Sequence, residues 1–196
     1  MKDSFTRGHG FLEGFLSKQR AKIANNSISD SLRDGRILDL GCGYYPYFLS
    51  SIKFKEKFGL NNSFAKESVE GINLINHDFY HNQKLPFDDS FFNVVTLLAV
   101  LEHLDNQVAI SVLTEAYRVL AVGGNLIITV PWGKTDLLLK FLSKIKLVSA
   151  VEINEHKQLY NESLIKNQLL FAGFEPEKIK IKRFEFGLNL FILAKK

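Results

Sequence analysis

The stretch Arg36-Ile37-Leu38-Asp39-Leu40-Gly41-Cys42-Gly43-Tyr44-Tyr45-Pro46 constrains the fold more than any other part of the chain. Ile37, Leu38 and Leu40 form a short apolar run, interrupted by one acid and ended by two glycines. A run of this kind against a turn signal reads as a buried strand. Gly41 and Gly43 let the backbone bend tightly and approach a ligand closely, which a residue with a Cβ does less readily. Pro46 suits the first turn of a following helix. A strand, a glycine turn and a helix in this order fit a parallel α/β sheet, whose ligands bind at the carboxyl ends of the strands. The turn is read as the seat of a nucleoside cofactor.

The rest of the chain repeats the rhythm. Strands are expected near Lys57–Leu60, ending at Asn61-Asn62, and near Ile72–Ile75, ending at His77-Asp78-Phe79. Ala65 to Glu70 is expected as a short helix, and Pro86 to Ser90 as a turn. Phe92–Ala99 and Asn125–Val130 are apolar enough to be central buried strands. Between them Asp105 caps a helix with a core stripe of Val108, Val112, Ala116 and Leu120, stopped by Gly123-Gly124. Asn161 caps a later helix that ends at Gly173. Lys178 to Ala194 alternates as two strands around Glu185-Phe186-Gly187, a hairpin. The fold class is therefore α/β: a doubly wound, Rossmann-like sheet with a C-terminal antiparallel hairpin and helices on both faces.

Two segments stand outside this rhythm. In residues 1–35, Phe11, Leu12, Phe15, Leu16 and Ile23 recur at helical spacing, as in an amphipathic helix packed on the domain. A lid or a membrane-surface helix is the other reading. Trp132–Lys157 is crowded with Leu, Ile and Lys and is long for a connection. It is read either as a lid-like insertion or as a helix on the sheet edge.

The 196 residues suit one domain spanning the whole chain, 1–196. Lys and Arg are scattered, so the net charge of +4 gives no compact basic patch and a nucleic-acid partner is not expected. One cysteine excludes an internal disulfide and suits a reducing compartment. No apolar run approaches the roughly 18 residues of a spanning helix. The start of the chain lacks the apolar core of a signal peptide, so a cytoplasmic location is expected, with peripheral membrane contact left open. His9, His77, His81 and His156 are dispersed, and no metal is expected.

The turn itself narrows the cofactor. A dinucleotide fingerprint would carry a third glycine where Pro46 stands. Asp39, at the mouth, suits a cationic ligand better than a pyrophosphate. S-adenosylmethionine carries a sulfonium and an ammonium and no phosphate.

The chain resembles the class I S-adenosylmethionine-dependent methyltransferases, small bacterial type. The resemblance is carried by Ile37–Gly43, by Leu85-Pro86-Phe87-Asp88-Asp89-Ser90-Phe91-Phe92-Asn93-Val94-Val95, by Leu101-Glu102-His103-Leu104, by Arg118-Val119-Leu120 with Gly123-Gly124, and by Thr129-Val130-Pro131. It implies that Asp39 binds the cofactor's amino group and that Gly41, Cys42 and Gly43 face the methionine part and the ribose. It further implies that Asp78 accepts from the adenine amino group with Phe79 beside the ring. The backbone at Leu98 and Ala99 would complete the methionine pocket. Each has a plainer reading: Asp39 as a partnered buried acid, Asp78 as a turn cap, Phe79 as core, Cys42 as a buried filler.

One departure stands out. The family places an acid after the second strand to hold both ribose hydroxyls, and here the position is Asn61, with Asn62 beside it. An amide offers one neutral carbonyl oxygen where a carboxylate offers two charged ones.

If the acceptor is a hydroxyl, a general base helps. His103, after the fourth long strand, is the candidate, with Glu102 to orient it. The plainer reading is that Glu102-His103 begins the next helix. The expected acceptor is a small molecule, a glycan or a lipid-linked compound, selected by the unmatched segments. Two alternatives have their own signatures: a non-catalytic scaffold that binds or has lost the cofactor, favoured by Asn61, and a nicotinamide-dependent oxidoreductase, disfavoured by Pro46.

Overall fold

A computed structural model of the protein describes residues 13–66, 68–133, 157–185 and 187–196. The strands are β1 (Arg36–Leu40), β2 (Glu56–Asn61), β3 (Asn73–Asn76), β4 (Phe92–Leu98), β5 (Leu120–Pro131), β6 (Ile179–Phe184) and β7 (Asn189–Lys195). The helices are α1 (Glu13–Asn26), α2 (Tyr47–Ser51), α3 (Asn106–Val119) and α4 (Glu162–Phe171). The seven strands form one sheet in the order β3-β2-β1-β4-β5-β7-β6. Pairing is parallel from β3 to β5, and β7 is antiparallel to both β5 and β6. The strand order reverses between β1 and β4, so the crevice beyond their carboxyl ends is the place this topology reserves for a ligand.

The central strands are apolar on both faces because both faces are covered. Ile37, Val94, Ile127 and Phe191 pack with Ala21, Ala24, Phe48 and Leu49 under α1 and α2. Leu38, Leu40, Val95, Leu97, Leu126 and Ile128 pack on the other face with Ala109, Val112, Leu113, Ile165 and Leu169 of α3 and α4. Side chains two apart share a face. Asp39 and Thr96, which are register partners, therefore continue the row of Ile37 and Val94 toward the carboxyl edge.

The sequence reading needs four corrections. Residues 65–70 form bends and an isolated bridge between Val69 and Ile72, with no helix among the described positions. α3 stops at Val119, because Leu120 already belongs to β5, and Gly123-Gly124 lie within that strand. Gly124 is needed for close approach there: a Cβ would come within 2.9 Å of the Asn93 carbonyl on β4. The buried stripe of α3 is accordingly Ala109, Val112, Leu113, Ala116 and Val119. α1 is buried through Ala21 and Ala24, while Phe15 is exposed. Phe11 and Leu12 lie outside the described residues.

Other local signals hold. Asn161 Oδ1 accepts the Leu164 N–H at 2.8 Å and caps α4, and Gly173 follows the helix at φ +109°. Arg118 of α3 fixes the Leu85–Asp89 loop. Its guanidinium donates to the carbonyls of Leu85 (3.1 Å) and Phe87 (2.8 Å), to Asp89 (2.7 Å) and to Glu115 (2.7 Å). Among the described residues no helix is long and apolar enough to cross a membrane.

Candidate functional site

At the end of β1 the chain turns through Gly41 (φ +70°) and Gly43 (φ +82°), both in the left-handed region that favours glycine. The N–H groups of Gly41 and Cys42 both donate to the Leu60 carbonyl of β2, at 2.8 and 3.0 Å. A Cβ on Gly41 would lie 2.7 Å from Val100 Cγ2, so Gly41 is fixed by crowding as well as by conformation. Cys42 tucks its sulfur against Gly59, where a Cβ would sit 2.8 Å from Sγ. Burial, with a smaller effect of the Asp39 charge, pushes the Cys42 thiol far up, so it is a filler beneath the turn and not a nucleophile.

Asp39 is only 3% exposed. Thr96 Oγ1, on the neighbouring β4, donates to its Oδ1 at 2.5 Å. Burial pushes the Asp39 carboxyl up to about 7, against the Thr96 bond, which lowers it. No cationic side chain among the described residues moves it. A buried carboxylate held by one hydroxyl is poorly compensated, and a cationic ligand would supply the missing charge.

Across the crevice, Ala99 closes β4 at φ +58°, an uncommon conformation for a residue with a Cβ. Its N–H is held by Thr129, by the carbonyl at 2.9 Å and the hydroxyl at 3.2 Å. Leu98 beside it is half-buried. Such local strain persists only where the surroundings enforce it.

Asn61 closes β2. Its amide nitrogen donates to the Ser63 carbonyl at 2.5 Å and its own carbonyl accepts the His77 N–H at 2.9 Å. The side-chain oxygen makes no bond among the described residues and is left to accept from a ligand. Asn62 is exposed, and its Oδ1 accepts from Ser63 Oγ at 3.3 Å.

Asp78, after β3, uses both carboxylate oxygens locally: Oδ1 accepts the Tyr80 N–H and Oδ2 pairs with His81 Nδ1, each at 2.9 Å. These bonds hold its carboxyl below the usual range, the Tyr80 N–H first. The acid is thus anchored in a turn of its own making, and a ligand amino group would share its oxygens. Phe79 is almost fully buried, edge-on to His77 at 5.4 Å.

Leu101–His103 forms a single 3₁₀ turn. Glu102 is buried, and its charge adds to the upward push that burial gives the Tyr160 phenol. Its carbonyl accepts from the N–H groups of Lys157 (2.8 Å) and Gln158 (3.3 Å). His103 is half-buried, and its carbonyl accepts from Tyr80 Oη at 3.4 Å. Tyr80 in turn accepts from Lys157 Nζ at 2.7 Å. Asp105 has the extended backbone of an N-cap but makes no side-chain cap bond, because its carboxylate pairs with Lys157 at 3.2 Å.

A family model described as a methyltransferase domain matches residues 9–179. The chain belongs to this methyltransferase family. Its cofactor is S-adenosylmethionine. No curated protein matches it in sequence. Solved structures share the fold of this methyltransferase over nearly all of its length. One is an S-adenosylmethionine-dependent methyltransferase from Archaeoglobus fulgidus, 18% identical, covering 94% of each chain at a TM-score of 0.67. Another, from Thermotoga maritima, is described as a possible histamine N-methyltransferase; it is 19% identical and covers 95% of this chain and 92% of its own at a TM-score of 0.69.

The turn fits such a cofactor in one respect: among the described residues buried Asp39 meets the Thr96 hydroxyl and no cation, and the methionine end carries one. Sequence reasoning missed Thr96 and Thr129. The signal for each was a hydroxyl inside an apolar run, Val94-Val95-Thr96-Leu97 and Ile127-Ile128-Thr129-Val130, the second quoted above only for the resemblance. The expected lid between Trp132 and Lys157 lies largely outside the described residues. Its two described ends are fastened beyond the carboxyl ends of the strands. Gly133 N–H donates to the Tyr160 carbonyl at 2.6 Å, and Lys157 N–H to the Glu102 carbonyl. Among the described residues no three His, Cys, Asp or Glu side chains converge as a metal site would require.

Proposed function

We propose that this methyltransferase carries a methyl group from S-adenosylmethionine to a small-molecule, glycan or lipid-linked acceptor, working as the single domain 1–196. The cofactor supplies an electrophilic methyl on a sulfonium with a good leaving group. Asp39 receives the ammonium of the methionine part, Gly41, Cys42 and Gly43 shape the turn around it, and Leu98 and Ala99 close the pocket. Asn61 and Asn62 take the ribose, and Asp78 and Phe79 the adenine. Positioning the acceptor in line is the main task left to the protein. His103 takes the proton of a hydroxyl acceptor, and Glu102 holds the turn that carries it.

The observation supporting this acceptor class is where residues 132–157 attach. They leave from Gly133 at the end of β5 and return at Lys157 beside Glu102, at the rim of the same crevice. Acceptor choice is thus assigned to the segment whose two described ends, Gly133 and Lys157, are held at that rim. A cytoplasmic location suits such an enzyme, and the basic, apolar composition of the segment suits an anionic or lipid-linked acceptor at a membrane surface.

The test is incubation with methyl-labelled S-adenosylmethionine and a cell lysate, then separation into small-molecule, lipid, glycan, protein and RNA pools. Label in one of the first three supports the reading. Label confined to protein or RNA contradicts it. A non-catalytic scaffold is favoured by one observation only, the amide of Asn61 in place of an acid, and predicts cofactor binding with no labelled pool.

A further inference from the structure

We propose that Thr96 is a positioning residue for the cofactor: its hydroxyl fixes the Asp39 carboxylate at the end of β1 and favours its ionised form for the ammonium of the methionine part. This rests on the assignment of Asp39 to that ammonium. Three observations carry it.

The first is placement. Thr96 is fully buried in the middle of β4, a strand otherwise filled by Phe92, Val94, Val95 and Leu97. A hydroxyl there must be paired or it costs stability. It is the direct register partner of Asp39, and the two side chains meet at 2.5 Å across the β1–β4 seam, where the strand order reverses.

The second is the choice of partner. A cation beside Asp39 would neutralise it and compete with the ligand for it. A hydroxyl favours the charged carboxylate while leaving its charge unpaired. Among the described residues the neighbouring elements bring no cation to bear. β2 places Gly59 opposite Asp39 in the register. The turn brings the Cys42 thiol, which Asp39 itself pushes up. α1 carries Lys18, Arg20 and Lys22, of which Arg20 acts on Glu185, and none acts on Asp39.

The third is a second acceptor. Thr96 Oγ1 also lies 3.4 Å from the Leu38 carbonyl. With Asp39 ionised, the hydroxyl proton points to the carboxylate. With Asp39 protonated, the acid donates to Oγ1 and the hydroxyl proton turns to Leu38. One rotor therefore satisfies both protonation states, which a valine at this position cannot do.

The experiment follows the Asp39 carboxyl by carbon NMR in the free protein and S-adenosylmethionine affinity by calorimetry between pH 5.5 and 8.5. It compares wild type with Thr96→Val, Thr96→Ala, Thr96→Ser and Asp39→Asn. The cofactor's own amine titrates identically against every variant, so differences between variants report the protein. Losing one charge-assisted bond should raise the Asp39 midpoint by about one to two pH units in Thr96→Val and Thr96→Ala. The affinity profile should move to higher pH by the same amount, with binding about tenfold weaker at pH 7. Thr96→Ser should restore both, and Asp39→Asn should bind weakly with no such step. Val and Ala remove the hydroxyl with opposite packing consequences, so either one that folds decides the matter. A wild-type affinity profile in a folded hydroxyl-less variant overturns the inference. Absence of binding by wild type at millimolar cofactor overturns instead the cofactor assignment beneath it.

Discussion

Gly41 donates its N–H to the carbonyl of Leu60 at 2.8 Å, and so the turn that ends β1 is fastened to the end of β2. Cys42 donates to the same carbonyl, so one acceptor on β2 sets the shape of two consecutive residues of the turn. The two glycines should differ in cost. Gly41→Ala meets Val100 at 2.7 Å and also has to hold φ +70°. Gly43→Ala makes ordinary contact with the Tyr45 carbonyl at 3.7 Å and suffers only from its φ of +82°. Denaturant unfolding should show about 1 kcal/mol lost in Gly43→Ala and about 2–4 kcal/mol in Gly41→Ala.

Asn61 should limit cofactor affinity. Its amide nitrogen is committed to Ser63 at 2.5 Å, which leaves one neutral oxygen for the ribose. Asn61→Asp gives up the bond to Ser63, whose carbonyl must turn away, and restores a charged acceptor; S-adenosylmethionine binding should tighten by about 1–2 kcal/mol, or roughly five- to thirtyfold. Calorimetry with the cofactor and with its 2′-deoxy analogue measures this. The gain should vanish with the analogue if the second hydroxyl is the group being held.

The free protein should become more stable as pH falls from 8.5 toward 5. Burial holds the Asp39 carboxyl up at about 7, whereas an unfolded aspartate titrates near 3.9. Between those values the folded chain binds a proton that the unfolded chain has released. The contribution is therefore complete below the unfolded value and is lost as pH rises through about 7, on the order of a few kcal/mol in all. Glu185, also raised by burial, acts with the same sign. The Asp39→Asn variant isolates the larger effect: its melting temperature should vary much less over this range. Cofactor should reverse the trend for wild type, because it binds the ionised form.

Arg118 should matter for stability and little for the cofactor. Its guanidinium joins two backbone carbonyls and two carboxylates around the Leu85–Asp89 loop, remote in the fold from the glycine turn. Arg118→Met should cost about 2–4 kcal/mol in chemical denaturation, since two part-buried carbonyls lose a charged donor and Glu115 loses its partner. Arg118→Lys should recover part of that, as an ammonium cannot span four acceptors in one plane. Cofactor affinity should stay within about twofold of wild type at temperatures where both variants are folded.

The parts of this fold that were legible in the sequence are those whose signals are local. Gly41 and Gly43 announce the turn, the run from Phe92 announces β4, Asn161 announces its helix, and Glu185 to Gly187 announce the hairpin. What was not legible depends on contacts between distant residues. Thr96 looks like an ordinary strand residue until β1 brings Asp39 beside it from 57 positions away. Asp105 reads as a cap until Lys157, 52 residues on, claims its carboxylate. Asp78 shows the same limit at short range: the resemblance implies a ligand contact there, whereas the bonds of both its oxygens to Tyr80 and His81 are visible only in the structure. The end of α3 was misplaced because Leu120 to Asn125 had to be extended to pair with β4 and β7, a tertiary demand that outweighs the stop signal of two glycines.

Titration calorimetry of S-adenosylmethionine into the full chain, with Asp39→Asn alongside, tests the central assignment most directly. The structure predicts one site per chain for wild type, tight enough to saturate well below millimolar cofactor, and binding weakened by at least about tenfold in Asp39→Asn. No heat from wild type at millimolar cofactor, or equal affinity in the two proteins, would contradict the placing of the cofactor's cationic end at the turn after β1.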